Sequence, residues 1–194
     1  MNLPNKLTLT RVILIPFFLF FMYINVPFHY LIALAIFAAA SITDALDGKI
    51  ARKNNLVTNF GKFLDPLADK VLVIAALTVF VELPEVNMGA IPLIIISARE
   101  FMVSGLRLLA ANSGKVVAAG IWGKLKTAFT MVAIIAILFW LSLCKDFSVS
   151  FPDGFVSAVN DIITPVLVWT ATVLTIISGI IYLKGYWHLI DADK

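Results

Sequence analysis

The sequence predicts an all-α integral membrane protein with six transmembrane helices and both termini on the cytoplasmic side. Three observations predict it. Hydrophobic residues make up 61% of the 194 residues and charged residues only 14%, against about 45–50% and 25% in a soluble domain. The mean hydropathy is +0.98. The apolar residues come in runs close to the ~20 residues that cross a bilayer as a helix, and the basic residues fall on alternate connections between those runs. This composition excludes a soluble globular domain, a disordered chain and a disulfide scaffold. The single cysteine, Cys144, has no intramolecular partner and reads as a small apolar residue near a helix end. At roughly 20 residues per span, a chain of this length holds about six helices and one membrane domain, 1–194, with no room for a separate soluble one.

The runs are taken in order. The first covers 7–24 and ends at the turn signal Asn25-Val26-Pro27. The second covers 28–50 and the third 63–81. Leu83-Pro84-Glu85-Val86-Asn87 separates the third from the fourth, at 90–109, and the last two runs cover 127–143 and 162–183. Lys6 and Arg11 followed by apolar residues imitate a secretory leader, but 12–43 holds no Asp, Glu, Lys or Arg, far longer than a leader's apolar core of about 7–15 residues. It reads as a hairpin of two spans. Lys6 and Arg11 lie at the N-terminus, Lys49, Arg52, Lys53 and Lys62 between runs two and three, Arg107, Lys115, Lys124 and Lys126 between runs four and five, and Lys184 and Lys194 at the C-terminus. The opposite connections carry Lys145 with Glu82, Glu85, Asp146, Asp153 and Asp161. This asymmetry puts both termini in the cytoplasm. The net charge of +3 therefore sets orientation and does not point to nucleic acid. Tyr186 and Trp187 suit the aromatic belt at the end of the last span. His29 and His188 read as interfacial residues, and Lys115 as topological charge.

The segment that carries chemistry is Thr43-Asp44-Ala45-Leu46-Asp47-Gly48-Lys49-Ile50-Ala51-Arg52, followed by Gly61-Lys62-Phe63-Leu64-Asp65-Pro66-Leu67-Ala68-Asp69. Asp44 and Asp47 are spaced i, i+3 and Asp65 and Asp69 i, i+4, so each pair shares a helix face. The short connection predicts antiparallel neighbours with both pairs facing one gap. Solvated charge at a helix end explains one or two such residues. Four carboxylates at these spacings repel one another and are costly near a membrane interior. Proton uptake or bound cations would relieve the repulsion. Two divalent cations, Mg²⁺ or Mn²⁺, would cancel the formal charge, since hard cations prefer oxygen ligands, and paired ions clamp the attacking and leaving oxygens of a phosphoryl displacement. Gly48 and Gly61 allow close approach to the backbone, Ala51 continues the aspartate face, and Arg52 can neutralise a phosphate oxygen. Pro66 is expected in the first turn of its helix, where its missing N–H costs little.

The pattern D-x-x-D-G-x-x-A-R, eight residues, then G-x-x-x-D-x-x-x-D resembles the signature of the CDP-alcohol phosphotransferases, with every motif position filled. The resemblance implies six transmembrane helices, usually in a homodimer. It implies that Asp44, Asp47 and Asp65 bind divalent metal, with Asp69 as a further ligand and the general base. Gly48, Ala51, Arg52 and Gly61 would line the CDP part of the donor.

Other segments narrow the acceptor. Leu3-Pro4-Asn5-Lys6-Leu7-Thr8, Ala98-Arg99-Glu100-Phe101-Met102-Val103 and Gly123-Lys124-Leu125-Lys126-Thr127 resemble the branch of that family that joins CDP-diacylglycerol to glycerol 3-phosphate. Arg99 and Glu100 fall in the middle of an apolar run, where ionisable residues face the bundle interior or a watery cavity. A buried Arg–carboxylate pair between helices is the alternative reading. Arg99, Arg107, Lys124 and Lys126 are the expected ligands of the acceptor's phosphate dianion, which needs cations; ordinary topological charge is the alternative for the two lysines. The expected reaction is attack of the acceptor's sn-1 hydroxyl on the β-phosphorus with release of CMP, at the cytoplasmic face of the cell membrane. Rival readings are the same chemistry with another acceptor such as inositol phosphate, an aspartate-rich membrane prenyltransferase, which generally needs more helices and another aspartate spacing, and a divalent-cation channel or transporter.

Overall fold

The computed structural model describes residues 3–53, 59–112 and 120–187. All regular structure among them is helical: α1 (Leu3–Tyr23), α2 (His29–Lys53), α3 (Asn59–Glu82), α4 (Ala90–Asn112), α5 (Ile121–Leu141), the short α6 (Asp153–Ala158) and α7 (Thr164–Tyr186). Two five-residue π-helical turns, Ser142–Asp146 and Val159–Ile163, extend α5 and join α6 to α7. Among the described residues, three helical stretches are long and apolar enough to cross a membrane: Lys6–Tyr23, Ile121–Asp146 and Asp153–Tyr186, with a shorter apolar stretch at His29–Thr43. α4 carries Arg99, Glu100 and Arg107 and α3 carries several charges at its start, which places both outside a purely apolar definition. The helices are apolar nearly all round, as expected where the outer face meets lipid and the inner face meets protein. Ile13, Phe17, Ile94, Phe101, Val132 and Val173, among others, are exposed.

The core runs through α1, α2, α3 and α5. Phe18, Phe37, Ala33, Ala40, Ala76, Phe80 and Leu138 are completely buried, and the rings of Phe18 and Phe37 lie 5.9 Å apart at 55°. Alanines at the contacts let helix backbones approach closely, the packing that drives helix association where burial from water does not. On α7 the buried hydroxyls of Thr172 and Thr175 donate to the carbonyls of Val168 and Ala171 at 2.8 and 2.7 Å, so small polar residues enter the interior at little cost.

Among the described residues α1 packs extensively against both α2 and α3, and the expected gap between the aspartate faces of α2 and α3 lies outside the described side chains. Ile15, Phe18 and Met22 on α1 share one buried cluster with Phe37 and Ala40 of α2 and Leu72 and Phe80 of α3. The helix order predicted from the sequence is observed, with three differences. α3 begins at Asn59, so Pro66 lies inside the helix and not in its first turn; a proline there has no N–H to give to the preceding turn. Arg11, read as topological charge, is completely buried. Finally, the short α6 and the two π turns were not foreseen. A π turn places one extra residue in the helix without breaking it, and hydrophobic spacing over so few residues does not reveal it.

Away from the charged ends of α2 and α3, polar contacts staple the helix termini. The Tyr23 hydroxyl donates to Glu82 at 2.8 Å. The Leu31 N–H in the first turn of α2 donates to an Asp146 carboxylate oxygen at 2.6 Å, a helix cap supplied from far along the chain. Lys145 pairs with Glu85 at 2.6 Å, and this hydrogen bond holds the Glu85 carboxyl below its ordinary value. Trp140 Nε1 donates to Asn160 at 2.8 Å. His29 sits at this end, its Nδ1 3.1 Å from the Phe21 carbonyl. Cys144 is a partly buried free thiol in the first π turn. His188 and Lys115 lie outside the described residues.

Candidate functional site: a cationic pocket beside the aspartate helices

The backbone of Asp44, Asp47, Gly48, Ala51 and Arg52 is helical near the end of α2, and that of Gly61, Asp65 and Asp69 is helical near the start of α3. Their side chains lie outside those described. The two helix ends are successive in the chain, separated by residues 54–58, so the four aspartates occupy matching ends of α2 and α3.

The described side chains next to this level form a pocket of about 440 Å³. α3 contributes Lys70, the residue after Asp69; α4 contributes Arg99, Glu100 and Arg107; α5 contributes Lys124 and Lys126. The structure therefore brings together all four residues expected to hold the acceptor phosphate. It also shows that they are not equivalent. Arg99 is buried and donates through Nη2 to Ser178 Oγ at 2.6 Å, with Nη1 3.4 Å from Glu100 Oε1. Its Nε has no hydrogen-bond partner among the described residues. Glu100 also bonds the Lys126 ammonium, and both side chains are nearly buried. The pair between helices weighed from the sequence is not made by Arg99, which neighbours Glu100 on α4; it is Lys126 of α5 that bridges to Glu100, and the three side chains form part of the pocket wall. Arg107 and Lys124 are exposed, and Arg107 Nη2 donates to the Tyr182 hydroxyl at 2.8 Å.

Among the described residues lining the pocket, Glu100 is the one acidic side chain, against five cations. An excess of positive charge in a partly dehydrated concavity favours a multiply charged anion. Guanidinium and ammonium groups together suit phosphate oxygens through charge-assisted hydrogen bonds.

Sequence reasoning passed over Lys70, Ser178 and Tyr182. Lys70 looked like charge just inside a helix. Ser178 and Tyr182 sit in the last apolar run, and their only sequence signal is an i, i+4 polar pair on one helix face. Gly179 leaves room for the stem of Arg99: a Cβ there would come within 3.1 Å of Arg99 Cγ.

Fold and pocket define the class first: a helical membrane protein that gathers cations beside an aspartate-bearing helix pair. Comparison with known proteins supplies the family. The family model for CDP-alcohol phosphatidyltransferase matches residues 1–177, and the chain belongs to this transferase family. It is 41% identical to the CDP-diacylglycerol–glycerol-3-phosphate 3-phosphatidyltransferase of Bacillus subtilis (strain 168), over 100% of this chain and 99% of that one. It is 39% identical to the protein of the same name from Rickettsia bellii (strain RML369-C), over 95% and 94% of the two chains. Against the Escherichia coli (strain K12) protein of that name it is 45% identical over 72% of this chain and 77% of the other.

Proposed function

We propose that this protein transfers the phosphatidyl group of CDP-diacylglycerol to the sn-1 hydroxyl of glycerol 3-phosphate, yielding phosphatidylglycerol phosphate and CMP. The observation that carries the reading is the cationic pocket of Arg99, Arg107, Lys124 and Lys126, reached through Lys70 from the position of Asp69. It offers a phosphate-bearing acceptor a binding place next to the aspartate helices. The names of relatives about 40% identical over nearly the whole chain support the same substrates.

In this reading the chain is one membrane domain, 1–194, with six spans, both termini in the cytoplasm and the site open to the cytoplasmic face of the cell membrane, and it works as a homodimer. The donor's acyl chains stay in the bilayer, and Gly48, Ala51, Arg52 and Gly61 hold its CDP head. Asp44, Asp47, Asp65 and Asp69 form an all-oxygen donor set suited to two hard cations, Mg²⁺ or Mn²⁺. Such ions supply Lewis acidity toward the diphosphate when bound. Arg99, Arg107, Lys124 and Lys126 hold the acceptor's phosphate and so present its hydroxyl. Asp69 accepts the hydroxyl proton as the oxygen bonds to the β-phosphorus, and the bond from that phosphorus to the bridging oxygen breaks, with CMP leaving on the electron pair. No covalent enzyme intermediate is needed.

The test is an acceptor panel. Purified protein with CDP-diacylglycerol is given labelled glycerol 3-phosphate, inositol phosphate, serine or glycerol, and the lipid product is identified. Glycerol 3-phosphate is expected to be used at least a hundredfold better than the others. Preference for another acceptor, or transport of divalent ions without CMP release, would overturn the reading.

A further inference from the structure

The last helix adds no charge to the pocket, yet both of the pocket's arginines rest on it. Tyr182 is buried on α7. Its hydroxyl accepts from Arg107 Nη2 at 2.8 Å and from the backbone N–H of Gly120, at the start of α5, at 3.3 Å. The guanidinium carbons of Arg99 and Arg107 lie 5.4 and 5.6 Å from the centre of its ring, within the range of cation–π attraction. One turn earlier, Ser178 accepts from Arg99 Nη2 at 2.6 Å. Between them Gly179 provides the clearance in which the Arg99 stem lies, since a Cβ there would stand 3.1 Å from Cγ. One face of one helix thus orients two guanidiniums that come from another helix and fixes the start of a third.

From this juxtaposition we propose that Ser178, Gly179 and Tyr182 form a positioning floor that sets the acceptor's affinity by aiming Arg99 and Arg107 at its phosphate. The proposal rests on the reading of the pocket as the acceptor site. It concerns residues beyond 1–177, the stretch matched by the family. An arginine side chain has many rotamers, and ordering it during binding costs free energy. A floor that holds two guanidiniums in place before the acceptor arrives removes that cost. The ring and the hydroxyl do separate jobs. The hydroxyl anchors Arg107 and the α5 start, while the face of the ring carries both cations.

The experiment compares native protein with Tyr182→Phe, Tyr182→Leu and Ser178→Ala, with Arg107→Ala as reference. CMP release gives kcat and the KM of each substrate, and calorimetry gives the affinity for glycerol 3-phosphate and for inorganic phosphate without turnover. Tyr182→Phe is expected to raise the acceptor KM about tenfold, as loss of one hydrogen bond to a charged group implies. The donor KM should stay within twofold and kcat within threefold. Tyr182→Leu should raise the acceptor KM further, and the order Leu above Phe above native should reappear in the dissociation constant for phosphate. Native acceptor KM and phosphate affinity in both Tyr182 variants, with Arg107→Ala raising that KM and weakening phosphate binding, would overturn the floor while leaving the acceptor site standing. A drop in melting temperature, with kcat and both KM values moving together, would mean a purely structural role and also overturn it. Unchanged phosphate affinity in Arg107→Ala as well would instead remove the acceptor site, and the floor with it.

Discussion

Arg99, Glu100 and Lys126 show how a membrane interior admits charge. One carboxylate shared by two cations leaves less unpaired charge than any member would alone, and removing that carboxylate takes an ionic partner from both cations at once. Glu100→Ala is therefore expected to destabilise the protein by about 3 kcal/mol, read as a lowered unfolding temperature in detergent. Asp69 makes a different demand. Asp69→Asn preserves size and should leave expression and unfolding unchanged while reducing CMP release by at least a hundredfold, the usual contribution of a positioned base. Turnover near the native rate would remove Asp69 from that role. The aspartate pattern was legible because spacing alone puts each pair on one helix face. Ser178 and Tyr182 were not, because an isolated serine or tyrosine in an apolar run looks the same whether it faces lipid, a neighbour's methyl group or an arginine.

At the scale of elements, the π turn at the end of α5 has a definite use. It carries Asp146 to the first turn of α2, where its carboxylate meets the Leu31 N–H and the positive end of that helix. Asp146→Ala should cost about 1–2 kcal/mol, the range for a lost helix cap, with kcat unaffected because the aspartate-bearing ends of α2 and α3 are elsewhere. The Glu85–Lys145 pair links the α3–α4 connection to the same turn. Its carboxyl titrates below the ordinary value of 4.5 because Lys145 donates to it. A lowered folded value means that the stabilisation is complete above the unfolded value and disappears as pH falls through the folded one. The stability difference between native protein and Glu85→Gln should then be present at neutral pH, amount to less than about 1 kcal/mol for a partly exposed pair, and vanish in strong acid. Cap and pair alike join positions far apart in sequence, and no local pattern announces either one.

For the whole molecule, the proposed orientation follows from the unequal distribution of basic residues and is directly measurable. In a Cys144→Ala background, a membrane-impermeant thiol reagent applied to intact cells should label Ser150→Cys and leave Lys194→Cys unlabelled until the membrane is opened. The reverse pattern would invert the topology. Divalent-metal dependence belongs to this scale too, because α2 and α3 both supply the proposed ligands. Excess chelator should abolish CMP release, and added Mg²⁺ or Mn²⁺ should restore it. Release that persists in chelator would exclude the proposed ions.

Sequence alone determined the membrane class, the order of the long helices and the signature of the family. Each depends on periodicity, length or spacing, which are properties of the chain before it packs. Tertiary structure decided the rest. It packed α1 against both α2 and α3, buried Arg11, gathered the cations of α3, α4 and α5 into one pocket, and set two arginines on the face of α7. Those outcomes depend on which side chains meet across helices, and in a chain that is apolar on nearly every face, hydrophobic pattern carries little information about which face meets which.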